Sequence, residues 1–390
     1  MFFQEILEGQ PDPIFGLNEA FRADVLPYKV NLIIGIYKDE ELQARLMHSV
    51  KKAIWEVFNQ NLLADYLPID GLPDFLEQIG ALIFGEKRWK DNHSRIYGTQ
   101  AIGGTGALQL GGQFLSGHVS KMIAVPTPTW PNHRSIFERA GCGVKTYPYY
   151  DREKHGIDFN SLSLALKKMP EKTIVLLHPV CHNPTGCDLS HEEWKELSRL
   201  MRERNILPFF DFAYQGLGDG IEKDRKAIEI FMDDGHEMLI GYSCSKNFSL
   251  YCQRVGALFV VSESSAVKLR IGSQIKKIIR SLYSNPPLHG ARVVASLLEN
   301  PSLKEEWKKE LDFMRHRIAN IREKLTQKLG DRFKFLCHHK GMFSFMDLDK
   351  SQVERLIEEF GIYLTDNGRI SLTGLNAKNM DYVVEAIRAV

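Results

Sequence analysis

The residues with the most chemical content fall in four short segments. Lys246 lies in Ser243-Cys244-Ser245-Lys246-Asn247-Phe248, with Arg254 eight residues further on. A lysine becomes a nucleophile when burial and neighbouring cations lower its pKa. Taken alone, the same residue reads more readily as a surface lysine beside a salt-bridged arginine. Asp211 and Tyr214 lie in Leu207-Pro208-Phe209-Phe210-Asp211-Phe212-Ala213-Tyr214, which sets a carboxylate at a strand end and a phenol three residues later. A helix N-cap also fits Asp211. In His178-Pro179-Val180-Cys181-His182-Asn183-Pro184-Thr185-Gly186, the proline restricts the backbone of Asn183 and so fixes where its amide projects. A plain turn is the simpler reading there, and neither histidine has a second ligand at metal spacing. Gly103-Gly104-Thr105-Gly106-Ala107-Leu108 has the small residues that let backbone N–H groups approach a phosphate at a helix start. It lacks the Lys-Ser/Thr ending of a nucleotide P-loop.

The four segments mean more together than apart. A phosphate loop, an amide, a carboxylate with a phenol, and a lysine with an arginine are the parts of a pyridoxal 5'-phosphate (PLP) site. Each follows a strand candidate or a turn, and ligands of open parallel sheets bind beyond the carboxyl ends of the strands.

The elements that must position these residues are legible as apolar runs. Strands are predicted at Met122 to Val125, Val144 to Tyr147, Thr173 to His178, Leu207 to Phe210, Met238 to Tyr242 and Ala257 to Val261. Helical patterns alternate with them, for example His191 to Glu203 behind a Ser190/Glu193 capping box. This alternation predicts an α/β fold with a mostly parallel sheet covered on both faces. Further on, Leu303, Trp307, Leu311, Met314, Ile318, Ile321 and Leu325 mark one face of a long helix, with Ser302 and Glu305 as its expected capping box. A strand (Met342 to Met346) and a helix capped by Ser351 and Glu354 follow. The expected division is a large domain over residues 46–312 and a smaller α+β domain made of residues 1–45 and 313–390.

Composition narrows the class. The 390 residues are 44% hydrophobic and 25% charged with a formal net charge of +1, so bulk electrostatics argues for neither nucleic acid nor an anionic membrane as partner. The six cysteines have no metal or redox spacing, and the acidic start lacks a signal-peptide pattern. The expected location is the cytoplasm.

At this point the sequence resembles the class I aminotransferases, specifically their aspartate/aromatic subfamily, along nearly its whole length. The matching stretches include Tyr66 with Ile69-Asp70-Gly71, the Gly-Gly-Thr-Gly-Ala-Leu loop, Thr129-Trp130-Pro131-Asn132-His133 and the three later segments above. They end with Arg280 to Pro287, Gly341 to Phe345 and Gly368-Arg369. The resemblance implies PLP-dependent transferase fold type I and a homodimer with shared active sites. It implies that Lys246 is the Schiff-base lysine and proton shuttle. Asp211, backed by His133, would pair with the pyridine nitrogen, while Asn183 and Tyr214 would bond the phenolic oxygen and Trp130 would pack over the ring. Gly104, Thr105, Ser243, Ser245 and Arg254 would hold the phosphate, joined by Tyr66 from the other subunit. Arg369 would bind the substrate α-carboxylate with Gly35 nearby, and Arg280 from the other subunit would meet a side-chain carboxylate.

The implied reaction moves the amino group of L-aspartate or glutamate to a 2-oxo acid such as 2-oxoglutarate, with ping-pong kinetics and no metal. Lys38, Thr105 and Asn285 resemble the dicarboxylate-preferring members. The alternative is an aromatic-amino-acid aminotransferase. A PLP lyase or decarboxylase and a non-catalytic binding protein are further readings. The sequence departs from the family pattern at Ile33, where a glycine is usual, over Glu41 to Met47, at Cys244 for a frequent Tyr, and at Ser249 for a frequent Gly. The first two bear on the substrate entrance and not on the cofactor.

Overall fold

The computed structural model describes residues 2–9, 11–60 and 65–390. Its centre is a seven-stranded sheet: β1 (Ile96–Ile102), β2 (Met122–Thr127), β3 (Gly143–Pro148), β4 (Ile174–Leu177), β5 (Leu207–Phe212), β6 (Met238–Ser243) and β7 (Val255–Val261). The spatial order is β1-β7-β6-β5-β4-β2-β3. Strands β6, β5, β4, β2 and β3 pair in parallel, and β7 is antiparallel to both β6 and β1. Strand β1 therefore points the same way as β6. The carboxyl ends of β1, β4, β5 and β6 share one edge, and the start of β7 joins them there.

Alternate residues of each strand point to opposite faces, and both faces are packed. Val175, Phe210 and Ile240 enter one hydrophobic core. Their neighbours Ile174, Phe209 and Leu239 enter the other, with the helix α1 (Gly103–His118). Each of the six predicted strands is present. Strand β1 is the one the apolar runs did not show. Its interior positions include Thr99 and Gln100, both buried. Gln100 is satisfied there because its amide donates to Pro287 O at 2.7 Å and accepts from Leu72 N at 3.1 Å.

The capping box of Ser190 and Glu193 is formed. Two other caps differ from expectation. The long helix α2 (Pro301–Leu329) is capped by Asn300, whose side chain accepts from Ser302 N and Leu303 N. Pro301 takes the first helical position, where a missing N–H costs nothing, so the helix starts ahead of Ser302. Asp349 with Gln352 caps the helix Lys350–Glu358 in place of Ser351 with Glu354. In the C-terminal part, Phe343–Phe345 pairs antiparallel with Arg369–Ser371. The N-terminal Val30–Asn31 pairs in parallel with Ile362–Tyr363, so the beginning of the chain is stitched to its end.

Candidate active site

The shared strand edge opens into a cavity of about 750 Å³. Lys246, Asp211, Tyr214, Asn183 and Trp130 all line it. So do Gly104, Thr105, Ser243, Ser245, Arg254, Gly35 and Arg369. A larger surface depression of about 840 Å³ lies among Arg88, Lys195, Arg199, Lys226 and Asp233. It gathers none of the residues singled out above.

The phosphate end is built by β1, β6 and β7. Gly103 opens α1 with φ at +68°, and a Cβ there would lie 2.5 Å from Arg254 Nη2. Only glycine gives both that backbone and that clearance. Arg254, just ahead of β7, donates from Nη1 to Ser245 Oγ at 3.3 Å and to Tyr251 O at 3.0 Å. The first-turn amides of α1, the hydroxyls of Thr105, Ser243 and Ser245, and a guanidinium thus converge on one point. That donor set suits a dianionic phosphate.

Asp211 is the fifth residue of β5 and caps no helix, so the N-cap alternative is set aside. One oxygen, Oδ2, lies 3.0 Å from His133 Nε2, and His133 Nδ1 contacts Thr129 Oγ1 at 2.7 Å. Burial alone would raise the Asp211 carboxyl. The hydrogen bond and charge of His133, joined by the charge of Lys246, outweigh it and hold the group below the usual range. His178 Nε2 stands 3.8 Å from the same oxygen. Burial drives its pKa down to about 3 despite Asp211, so it is a neutral neighbour. His133, His178 and Asp211 bring one ligand atom each within 4.8 Å of one another. Both His133 nitrogens are already engaged, which makes His133 a hydrogen-bonded support for Asp211.

Lys246 Nζ has no hydrogen-bond partner among the described residues and stands 5.4 Å from the centre of the Tyr214 ring. Burial lowers its pKa to about 8. Asp211 pulls the value up, and Arg254 pushes it down. Burial and the Asp211 charge hold the Tyr214 phenol protonated, opposed by Arg369 and Asn183. At the other end, Arg369 is 2% exposed. It donates to Asn183 Oδ1 at 3.2 Å and Ile33 O at 2.5 Å, and its guanidinium lies 4.2 Å over the Phe343 ring. Its Nε has no partner, and among the described residues no carboxylate pairs with it. Burial pushes its pKa down to about 10. A buried cation without a counter-ion is costly, and a bound carboxylate would relieve that cost.

The class I and II aminotransferase family model matches residues 27–387. The chain belongs to the class I and II aminotransferases. It is 43% identical over 394 residues to the aspartate aminotransferase of Escherichia coli (strain K12), with all of both chains covered. It is 42% identical to that of Pseudomonas aeruginosa, with 96% of each chain covered. Among solved structures it resembles an aromatic-amino-acid aminotransferase from Burkholderia pseudomallei covalently bound to pyridoxal phosphate. That likeness has a TM-score of 0.96 and 40% identity, covering 100% of this chain and 99% of that one. The cytoplasmic aspartate aminotransferase from Saccharomyces cerevisiae superposes with a TM-score of 0.95 at 34% identity, covering 99% and 98%.

This aminotransferase is PLP-dependent and has fold type I, and its cavity fits the cofactor on the donor set described. The phosphate cradle, the free Asp211 Oδ1, the unpaired Lys246 and the Trp130 indole all face one space. His133 lies behind Asp211 and does not line the cavity, and two further expected residues stay away from it. Tyr66 is 87% exposed. Arg280 is exposed at the end of the helix Ser265–Leu282 and hydrogen-bonds Ser284 Oγ. The sequence expectation puts both in the site of a second subunit. Sequence reading missed Ile34, Ile36, Tyr251, Cys252 and Phe343 as lining residues. Phe343 was inside a matching stretch. Tyr251, three residues before Arg254, was the available signal for the turn. Ile33 is buried and does not line the cavity, and only its carbonyl serves Arg369. The departure from glycine is therefore absorbed behind the wall.

Proposed function

We propose that this aminotransferase takes the amino group of L-aspartate or L-glutamate and passes it to a 2-oxo acid such as 2-oxoglutarate. The observation that carries the reading is Arg369, a buried guanidinium without a carboxylate, in the same cavity as the unpaired Lys246. The aspartate aminotransferases that align over the whole chain support the same choice. PLP, when bound, supplies an electron sink for the bond broken at Cα. The chain's residues do the rest. Arg369 grips the α-carboxylate through a planar, two-pronged contact, with Gly35 beside it. Lys246 Nζ would take the Cα proton and return it to the cofactor's carbon on the far side of the amino nitrogen, and its pKa near 8 suits both roles. Asp211, supported by His133, keeps a proton on the ring nitrogen of the cofactor. Asn183 and Tyr214 would donate to the cofactor's phenolic oxygen, and Trp130 would pack against its ring. Gly104, Thr105, Ser243, Ser245 and Arg254 anchor the phosphate.

The same reading makes the active unit a homodimer in the cytoplasm. Each partner would supply Tyr66 to the phosphate and Arg280 to the distal carboxylate. Exposed Trp55 and Phe58, stacked at 6.0 Å on the helix His48–Asn59, support a protein contact on that helix. Among the described residues no helix is long and apolar enough to cross a membrane. The large domain would span residues 46–312 and the small one 1–45 with 313–390, with the boundary inside α2.

The alternative, an aromatic-amino-acid aminotransferase, draws on Ile34, Ile36, Leu108 and Phe343 in the cavity wall. The test is kcat/KM for aspartate and phenylalanine in wild type and Arg280→Leu. Loss of a desolvated charge partner costs about 2–5 kcal/mol, roughly 30- to several-thousand-fold. Aspartate should fall by that range and phenylalanine should hold. Equal losses would assign Arg280 to the interface alone.

A further inference from the structure

Ile34, Gly35 and Ile36 line the cavity, and apart from bonds to near neighbours in sequence the hydrogen bonds of residues 33–40 run, with one exception, to α2 and the C-terminal part. Ile33 O accepts from Arg369, and Ile36 O accepts from Thr373 Oγ1 at 2.7 Å. Asp39 O and the Glu40 carboxylate accept from Arg317 at 3.1 and 2.9 Å, and Glu40 O accepts from Asn376 at 2.9 Å. One hydrogen bond goes the other way. The backbone N–H of Tyr37 donates to Tyr251 Oη at 2.8 Å. Among the described residues it is the one hydrogen bond from this segment to the elements around the central sheet.

Tyr251 is well placed to transmit position. It lies in the turn between β6 and β7, a few residues after Lys246, and lines the cavity. Its carbonyl accepts from Arg254 Nη1, the guanidinium of the phosphate cradle. The turn's backbone is bent by two left-handed residues, Ser249 at φ +52° and Arg254 at φ +53°. Burial keeps the phenol protonated. The oxygen accepts from Tyr37, and its own proton has no acceptor among the described residues.

We propose that Tyr251 is a positioning residue, a strut that fixes the segment 33–38, which carries the cavity-lining Ile34, Gly35 and Ile36, relative to the lysine and phosphate cradle. The proposal rests on the reading of this cavity as the amino-acid site. The effect should fall on substrate binding. The contact to Arg254 uses the Tyr251 backbone and survives loss of the hydroxyl.

The test is Tyr251→Phe in the PLP-loaded enzyme. One hydrogen bond is worth roughly three- to tenfold, so KM for aspartate should rise by that factor with kcat within about twofold and PLP retention unchanged. Amide hydrogen exchange, measured without substrate, should speed up in residues 33–38 and stay as in wild type in residues 99–106. Tyr251→Leu should show the same pattern more strongly. Unchanged exchange at 33–38, or a fall in kcat with unchanged KM, overturns the proposal. If wild type does not turn over aspartate, the substrate reading fails, and the exchange measurement still decides the strut.

Discussion

Lys246 sits between opposed influences, and the balance has a pH signature. Burial and Arg254 disfavour its charge, Asp211 favours it, and in the cofactor-free chain the result is a pKa near 8 against 10.5 for a free lysine. The lowered value means the folded state resists holding the proton. Below pH 8 both states are protonated, and the fold bears the full penalty. From pH 8 to 10.5 the unfolded chain binds more protons, so stability attributable to this group rises with pH. Lys246→Met in cofactor-free protein should therefore raise Tm relative to wild type at about pH 7 and lose that advantage toward about pH 10. A difference independent of pH would mean that packing, and not charge, sets the lysine's state. In the PLP-loaded enzyme, borohydride reduction should label Lys246.

At the scale of elements, the site depends on turns that hold unusual backbone. Gly103 is the clearest case, since its positive φ and the nearby Arg254 guanidinium both exclude a side chain. Gly103→Ala should weaken PLP binding by about 1–3 kcal/mol, on the order of five- to a hundredfold. Equilibrium titration of the cofactor-free protein measures it, and wild-type affinity would show that the cradle tolerates the shift. This loop was legible as glycine spacing, and the strands behind Asp211 and Lys246 as continuous apolar runs. Strand β1, which delivers the loop, was not legible. Thr99 and Gln100 look like surface residues in sequence, and only their long-range hydrogen bonds make them interior. The caps at Asn300 and Asp349 were missed for a related reason. Several polar residues stood within one turn of each start, and local pattern does not choose among them. The lining residues Ile34 and Ile36 are apolar and carry no chemical signal. Their role arises from the strand pairing that brings residues 30–31 beside residues 362–363.

The whole molecule raises the question of where a complete site resides. Tyr66 and Arg280 are outside the cavity of their own chain, so the account requires a second copy. Subunit mixing tests this. Lys246→Ala lacks the lysine and Arg280→Leu lacks the distal guanidinium, so each homodimer should be nearly inactive toward aspartate. A hybrid pairs the lysine of one chain with the arginine of the other and regains one intact site of two. Random reassembly of equal amounts should then recover about a quarter of wild-type activity, because about half the dimers are hybrids. No recovery, with exchange of subunits verified, would place Arg280 in its own chain's site or outside the chemistry. The central claim is amino-group transfer from a dicarboxylic amino acid, and the most direct measurement is a single half-reaction. PLP-loaded enzyme is mixed with L-aspartate and no 2-oxo acid, and the visible band of the lysine-bound cofactor and the products are followed together. The account predicts that the band bleaches with release of one oxaloacetate per site, and that 2-oxoglutarate restores it. Release of carbon dioxide, ammonia or fumarate, or a band that L-aspartate leaves unchanged, would contradict it.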